Sequence, residues 1–179
     1  MHANTLNGKC FGKLFLILKE NKDEFGPYIQ NDVDNLMQKV KNVDVFCSKS
    51  GKMTNFLVNK WIACLTNNIE IISEITPLNI LLMLDSYSAH WNISFDSLVD
   101  KQKFNINRIK ILKGATSIAQ PLDTGFNHHL KYFIKKFNNR IKLDEINIDI
   151  KNRITIITIF SLTWNQISSP KFQNMIRYC

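Results

Sequence analysis

The sequence lacks the residue patterns of several common protein classes. Its four cysteines, at positions 10, 47, 64 and 179, form no CxxC pair and have no histidine at ligand spacing. A zinc site and a disulfide scaffold are therefore not expected, and the thiols are predicted to be reduced and intracellular. Glycine and proline are scarce, at six and four residues, and the chain has no internal repeat and no Gly/Ser linker. We therefore expect one domain over residues 1–179.

Long hydrophobic runs are missing as well. The apolar run from Leu14 to Leu18 follows Lys9 and Lys13, but it is shorter than the roughly 7–15 residues of a signal-peptide core. Other apolar stretches stay below the roughly 18 residues that a membrane span needs. The sequence therefore predicts a soluble protein that is not secreted and does not cross a membrane.

Positive charge is what the sequence has in excess. Its 23 lysines and arginines outnumber 15 acidic residues, which gives a net charge of +8 and a pI near 9.4. Such a balance favours anionic partners, of which nucleic acid is the commonest, although many basic proteins bind nothing in particular.

Strand-like and helix-like segments alternate along the chain, which indicates an α/β fold. Strands are predicted over residues 11–19, 43–47, 80–84 and 106–112. The third of these is continuously apolar, which is typical of a strand buried on both faces in a parallel or mixed sheet. Turns are expected at Asn7-Gly8-Lys9 and at Ser48-Lys49-Ser50-Gly51.

Apolar residues at helical spacing predict the helices. These are a short helix containing residues 33–40, a helix capped by Thr54, a helix around residues 91–99 and a long helix from about Thr124 to Lys142. The segment from Ile154 to Trp164 is rich in β-branched residues, which favours strand, but its apolar spacing is helical and we expect a helix. Ser169-Pro170 then predicts the start of a last helix.

The first candidate site is the run Asp85-Ser86-Tyr87-Ser88-Ala89-His90, directly after the third predicted strand. A carboxylate at the C-terminal end of a buried strand lies where open α/β sheets bind their ligands. Taken alone, Asp85 is more often a turn starter or a helix cap. His90 is equally well explained as an ordinary histidine and as a contact to a carboxylate or a substrate.

The second candidate site precedes the long helix, in the run from Thr116 to Gly125 that contains Asp123. Considered alone, Asp123 is best explained as an N-cap that complements the helix dipole. Taken together, however, the two residues form a pair in which Asp85 ends a predicted strand and Asp123 starts a predicted helix.

Together the two segments, LLMLDSYSAH and ATSIAQPLDTGF, resemble the motifs that carry the second and third acidic residues of DDE superfamily transposases of the Tigger/pogo/Jerky type. In that family an apolar strand ends in LDN with a nearby histidine, and a TSxxQPLDxG segment opens a helix. The resemblance extends almost end to end, because NGKCFGKLFLILK is similar to the family's strand hairpin and WNQISSPKFQNMIRYC to its C-terminal helices.

The resemblance implies an RNase H-like mixed sheet flanked by helices, in a nuclear protein that acts on DNA. Three carboxylates of such a domain hold two divalent cations, Mg²⁺ or Mn²⁺, which assist in-line attack on a phosphodiester. By resemblance, Asp85 bridges the two metal ions, Asp123 binds one of them, and His90 orients a carboxylate or contacts the cleaved strand.

The first acidic residue of the family has no counterpart in this sequence. It precedes the hairpin, and no carboxylate occurs between Met1 and Lys19, while Glu20, Asp23 and Glu24 come after the hairpin's second strand. We therefore expect an N-terminally truncated domain that lacks its central first strand and has an incomplete active site. We also expect the strand at Ile80 to Leu84 to have a gap or a makeshift pairing beside it, because that missing strand is its neighbour.

The long helix carries a group of basic residues, which are Lys131, Lys135, Lys136, Arg140 and Lys142. Lys131, Lys135 and Lys142 lie near one stripe that could follow a phosphate backbone in a salt-dependent, sequence-independent way. The alternative is a solvated helix face. Weak, non-specific DNA binding is expected, because the family usually reads DNA with a separate module, and the oligomeric state is left open.

Three functions are consistent with the sequence. The first is a metal-dependent endonuclease or strand transferase whose third carboxylate comes from an upstream segment or another chain. The second, which we favour, is a nucleic-acid-binding domain that does not cleave by itself. The third is a protein-interaction module, for which no feature of the sequence argues.

Overall fold

The computed structural model describes residues 3–5, 7–72, 79–91, 105–115 and 126–177. These residues form a mixed α/β structure in which three two-stranded sheets are flanked by helices, as the order of predicted elements indicates. The chain divides into two compact units, residues 1–52 with 121–179 and residues 53–120. The single domain expected from the sequence stays a prediction. Within the described segments, none of the helices has the length and apolar character required to span a membrane.

The first unit begins with a short antiparallel hairpin between β1 (Ala3–Asn4) and β2 (Cys10–Phe11). Its turn contains the predicted Asn7-Gly8-Lys9 segment, where the Gly8 N–H donates to the Thr5 carbonyl at 2.9 Å. The single strand predicted over residues 11–19 is wrong in one respect, because Gly12 interrupts it with a φ of +67°. This left-handed conformation breaks an extended path, so β3 (Leu14–Lys19) is a separate strand.

Strand β3 pairs in parallel with β4 (Val43–Ser48), and α1 (Pro27–Lys39) forms the crossover between them. Parallel strands need such a connection because the chain has to return to the same end of the sheet. The turn predicted after β4 is confirmed, since Gly51 has a φ of +68° and donates its N–H to the Ser48 carbonyl at 3.1 Å. A Cβ at this position would also lie 3.0 Å from the Lys19 Cβ, which favours glycine.

The described residues of the first unit also form α3 (Asn127–Leu143), α4 (Arg153–Ile167) and α5 (Pro170–Arg177). The helical interpretation of residues 154–164 is confirmed, and Asn152 caps α4 by accepting the Ile154 N–H at 2.8 Å. Helix α5 begins at the predicted Pro170. The predicted start of the long helix at Thr124 falls outside the described residues.

The core of the first unit joins the β3–β4 sheet to its helices. Its buried members are Leu14, Leu16, Leu18, Val33, Val43, Cys47, Phe126, Ile157, Trp164 and Ile167. The Phe126 and Trp164 rings meet edge to face with 5.9 Å between their centroids. Full burial of each large apolar side chain contributes roughly 1.5–3 kcal/mol. Burial of the apolar face of α4 in this cluster therefore outweighs the strand preference of its β-branched residues.

The second unit contains α2 (Asn55–Ile72) and a parallel pair of strands, β5 (Asn79–Leu84) and β6 (Asn105–Lys110). Thr54 caps α2 as predicted, because its Oγ1 accepts the Leu57 N–H at 3.3 Å. A 3-10 helix covers Ser88–Trp91 after β5. Of the helix predicted around residues 91–99, residue 91 is described, and residues 92–99 lie outside the described residues.

Strand β5 is not buried on both faces, which corrects the prediction from its apolar run. Leu81 and Met83 are 57% and 44% exposed, whereas Leu84 is 4% exposed. In the part of the chain that the structure describes, β6 is the one strand paired with β5. A continuous apolar run does not distinguish one-sided from two-sided burial, because burial of the second face depends on what packs against it. The loss of a central strand stays a prediction.

Candidate active site

The candidate site is built around Asp85, the first residue after β5. The preceding Leu84 is buried and anchors the end of the strand. The Asp85 Oδ1 accepts the backbone N–H of Tyr87 at 3.2 Å, which is the local bond by which an aspartate starts a turn. The turn-starter interpretation of Asp85 is therefore correct as local geometry, and it leaves the second carboxylate oxygen available for another role.

His90 is brought to the same carboxylate oxygen by the 3-10 helix. Its Nδ1 lies 2.8 Å from the Asp85 Oδ1. An ionised carboxylate only accepts hydrogen bonds, so this contact assigns the proton to Nδ1. The His90 side chain is 6% exposed, and its ring lies against the rings of Tyr87 and Trp61, at centroid distances of 5.5 and 6.3 Å. His90 therefore contacts Asp85 from a buried position against aromatic rings, not from solvent.

The other ring nitrogen of His90 is buried. Among the described residues, its Nε2 has no hydrogen-bond partner. With the proton on Nδ1, this nitrogen is an acceptor. The contact with Asp85 therefore fixes the tautomer of His90.

Three hydrogen bonds to backbone carbonyls fix the loop that carries these two side chains. The Trp91 indole N–H donates to the Asp85 carbonyl at 2.9 Å, and the Tyr87 hydroxyl donates to the Met53 carbonyl at 2.6 Å. The Arg108 guanidinium, from β6, donates to the His90 carbonyl at 2.8 Å. Sequence reasoning missed these contacts, although aromatic residues with polar tips inside a polar loop were a usable signal.

Asp85 has the chemistry of a ligand for a hard divalent cation. Its carboxylate is 35% exposed, and among the described residues its Oδ2 is without a hydrogen-bond donor. Carboxylate oxygen is the donor that Mg²⁺ and Mn²⁺ prefer. Within the described segments there is no group of three or more His, Cys, Asp or Glu side chains able to hold a metal ion. The Asp85 carboxylate has the donor chemistry of one ligand to such an ion.

The structure brings together only part of the predicted constellation. Asp85 and His90 are in contact, whereas Asp123 and the whole run from Thr116 to Gly125 lie outside the described residues. The position of Asp123 relative to Asp85 therefore stays a prediction.

The carboxylates that follow β3 have structural partners in the first unit. Arg153 binds both oxygens of the buried Glu20, with its Nη2 at 3.0 Å from Oε2 and its Nε bonded to Oε1. This hydrogen bonding raises the pKa of the Arg153 guanidinium. The Asp23 Oδ1 accepts the Lys49 N–H at 2.8 Å. Glu20 and Asp23 are therefore used to hold the end of the β3–β4 sheet.

The basic residues of α3 are exposed but not equivalent. Lys131, Lys135 and Lys142 make no ion pair with the described residues and point to solvent. Lys136 lies over the Tyr132 ring at 4.8 Å, and Arg140 pairs with Asp144 at 2.5 Å. Among the described residues, Lys131, Lys135 and Lys142 thus have neither an ion pair nor a ring contact.

Comparison with known proteins identifies one family. The family model described as DDE superfamily endonuclease matches residues 12–175, a range that contains every candidate residue of both acidic motifs and of the basic helix. No curated protein and no solved structure matches the chain.

Proposed function

Because the chain belongs to the DDE superfamily endonuclease family, we propose that it is a transposase-derived nuclease domain in which Asp85 and Asp123 bind Mg²⁺ or Mn²⁺. The fold we propose is the RNase H-like mixed sheet of that family, and the proposed location is the nucleus. The two parallel strand pairs and their flanking helices are consistent with this fold. DNA is the partner that membership in an endonuclease family implies.

The geometry of Asp85 is the observation that carries the proposal. Its Oδ1 is held by the Tyr87 N–H and the His90 Nδ1, so the carboxylate has one defined orientation. Its Oδ2 is left for a cation at the C-terminal end of β5, where open α/β sheets bind their ligands. When bound, divalent ions of this kind activate the attacking oxygen and stabilise the oxygens that enter and leave the phosphorus.

His90 is a positioning residue in this proposal. It acts through Asp85, because its side chain is buried and its Nδ1 is occupied by the carboxylate. Residues that orient metal ligands in this way are a general feature of metal sites.

The experiment that tests the metal site is a Mn²⁺ titration followed by electron paramagnetic resonance. We expect Asp85→Asn and Asp123→Asn each to weaken Mn²⁺ binding at least about 10-fold, because each removes a charged oxygen ligand. The matched control is Asp32→Asn, an exposed carboxylate on α1, which we expect to leave the titration unchanged. Titration curves that coincide for all three variants and the parent protein would remove the proposed site.

We further propose that the 179-residue polypeptide binds DNA weakly and without sequence preference, and that it does not cleave DNA by itself. The motif match provides two carboxylates, whereas a two-metal site of this family uses three. The exposed stripe of Lys131, Lys135 and Lys142 supports binding through phosphate contacts. The second candidate, an active Mg²⁺-dependent endonuclease, requires a third carboxylate from residues outside 1–179 or from another chain.

A plasmid-nicking assay distinguishes these two functions. The polypeptide is incubated with supercoiled DNA and Mg²⁺ or Mn²⁺, and the expected result is a retained supercoiled band. Asp85→Asn is the control for contaminating nucleases, because it removes a proposed metal ligand. Nicking that is lost in Asp85→Asn would contradict the binding-only function and establish the active one.

A further inference from the structure

The 3-10 helix and β6 form a compact basic cluster on the second unit, consisting of Trp91, Arg108 and Lys110. The Arg108 guanidinium lies 5.0 Å from the Trp91 ring centroid, and the Lys110 Nζ lies 5.2 Å from it. Arg108 and Lys110 are two positions apart on one strand, so their side chains leave the same face of the sheet. One aromatic ring therefore contacts two positive charges.

Trp91 connects this cluster directly to the candidate active site. Its indole N–H donates to the Asp85 carbonyl at 2.9 Å, which fixes the ring at the turn that carries the metal-binding carboxylate. Arg108 is tied to the same turn through its hydrogen bond to the His90 carbonyl. The positions of both charges are therefore set by the loop that positions Asp85.

Lys110 is the charge in this cluster that remains available to a ligand. It is exposed, and among the described residues no carboxylate pairs with its ammonium group. Burial lowers the pKa of Arg108, in agreement with its packing against the ring rather than in open solvent.

We propose that this Trp91–Arg108–Lys110 cluster binds a backbone phosphate of the DNA strand that enters the site at Asp85, with Lys110 as the contacting charge. The inference rests on the proposed function and adds to it a place where the substrate is held. The Trp91 ring orients the ammonium group, and a phosphate oxygen accepts its hydrogen bonds. Because the contact is to the backbone, it carries no sequence preference.

The first readout locates the contact. The chain contains three tryptophans, so the ¹H–¹⁵N spectrum has three indole signals, and Trp91→Phe assigns one of them to Trp91. On titration with a short DNA duplex, we expect the Trp91 indole signal to move more than those of Trp61 and Trp164, which are buried. A Trp91 signal that stays fixed while DNA binds would overturn the inference.

The second readout measures the charge contact. DNA affinity is determined by fluorescence anisotropy at several salt concentrations, and the slope of log K against log salt is compared between variants. We expect Lys110→Gln to reduce this slope by about 1, the effect of one phosphate contact, and Lys110→Arg to restore it. The matched control is Lys60→Gln, because Lys60 also lies over an aromatic ring, that of Phe56 at 5.4 Å, on α2 of the same unit.

The outcomes separate this inference from the function on which it rests. Equal slopes for Lys110→Gln and Lys60→Gln would overturn the phosphate contact, while Mn²⁺ binding that depends on Asp85 would leave the proposed function standing. A parent protein that binds no DNA at 50 mM salt would overturn both the inference and the DNA-binding part of the proposed function.

Discussion

His90 and Asp85 are five positions apart in the chain, and the 3-10 helix brings their side chains to 2.8 Å. The consequence is that one carboxylate oxygen is committed to holding the turn and the other is free of donors among the described residues. A spacing of five residues does not by itself predict this contact, since it depends on the 3-10 conformation of Ser88–Trp91.

The first prediction concerns this pair of residues. We expect His90→Leu to weaken Mn²⁺ binding about 10-fold, because removing a residue that orients a metal ligand typically costs 10–100-fold in affinity. His90→Asn should retain most of the affinity, since an asparagine N–H can replace the Nδ1 donor. Electron paramagnetic resonance titration measures both, and equal affinities for His90→Leu and the parent protein would show that the contact has no positioning role.

The second prediction concerns the pair formed by Glu20 and Arg153, which are 133 positions apart. The Glu20 side chain is 8% exposed and that of Arg153 is 42% exposed. Arg153→Gln leaves a buried carboxylate without its partner, and we expect a loss of about 1–3 kcal/mol in the free energy of unfolding. The partial exposure of Arg153 keeps this below the value for a fully buried pair.

Urea denaturation measures this loss against a matched control. Arg140→Gln breaks the i,i+4 pair with Asp144, in which the Arg140 side chain is 74% exposed, and exposed helix pairs contribute only about 0.3–0.5 kcal/mol. A loss for Arg153→Gln no larger than that for Arg140→Gln would contradict a stabilising role for the Glu20 pair.

At the scale of elements, α3 places its lysine stripe and its apolar residues on different faces. Lys131, Lys135 and Lys142 are spaced by four and seven positions, which places them on one stripe of the helix. Phe126 and the apolar residues that follow it at helical spacing face the core of the first unit. The helix therefore has a partly buried apolar stripe and an exposed basic one.

The third prediction concerns this basic stripe. We expect the triple change Lys131→Gln, Lys135→Gln and Lys142→Gln to reduce the salt slope of DNA binding by about 2–3, because each phosphate contact contributes close to 0.9. The control is a triple change to glutamine at exposed lysines elsewhere in the first unit, Lys22, Lys39 and Lys41. If both triple variants lose the same slope, binding follows net charge alone and the stripe has no special role.

At the scale of the whole molecule, the strands differ in how completely they are covered. Four of the six residues of β3 are buried, whereas β5 exposes Leu81 and Met83. Each strand has one strand partner among the described residues. Protection against local opening increases with buried apolar contact, so the two parallel pairs are expected to differ in stability.

The fourth prediction follows from this difference. Native-state hydrogen exchange should show slower exchange for amides of β3 than for amides of β5, which tests the expectation of incomplete pairing beside β5. The peptide-resolved rates are normalised to those of the unfolded chain, so that sequence effects on intrinsic exchange cancel. The slowest exchange in the molecule at β5 would contradict that expectation.

The sequence by itself determined the elements whose signals are local. The apolar spacing of α2, the Thr54 cap and the Ser169-Pro170 start of α5 are all confirmed, because caps and helical stripes depend on residues within a few positions. The motif around Asp85 was found in the same way, since a carboxylate at a strand end is a pattern of neighbouring residues. The family resemblance carried by these motifs is confirmed as well.

Only the tertiary structure decided which distant residues meet and which faces are covered. The strand predicted over residues 11–19 is split at Gly12, and β5 is exposed on one face. The contacts of Arg153 with Glu20 and of Arg108 with His90 join different elements. Such contacts depend on which distant segments the fold brings together. The sequence specifies a local preference at each residue, but it does not specify which distant side chain pairs with a buried charge or donor.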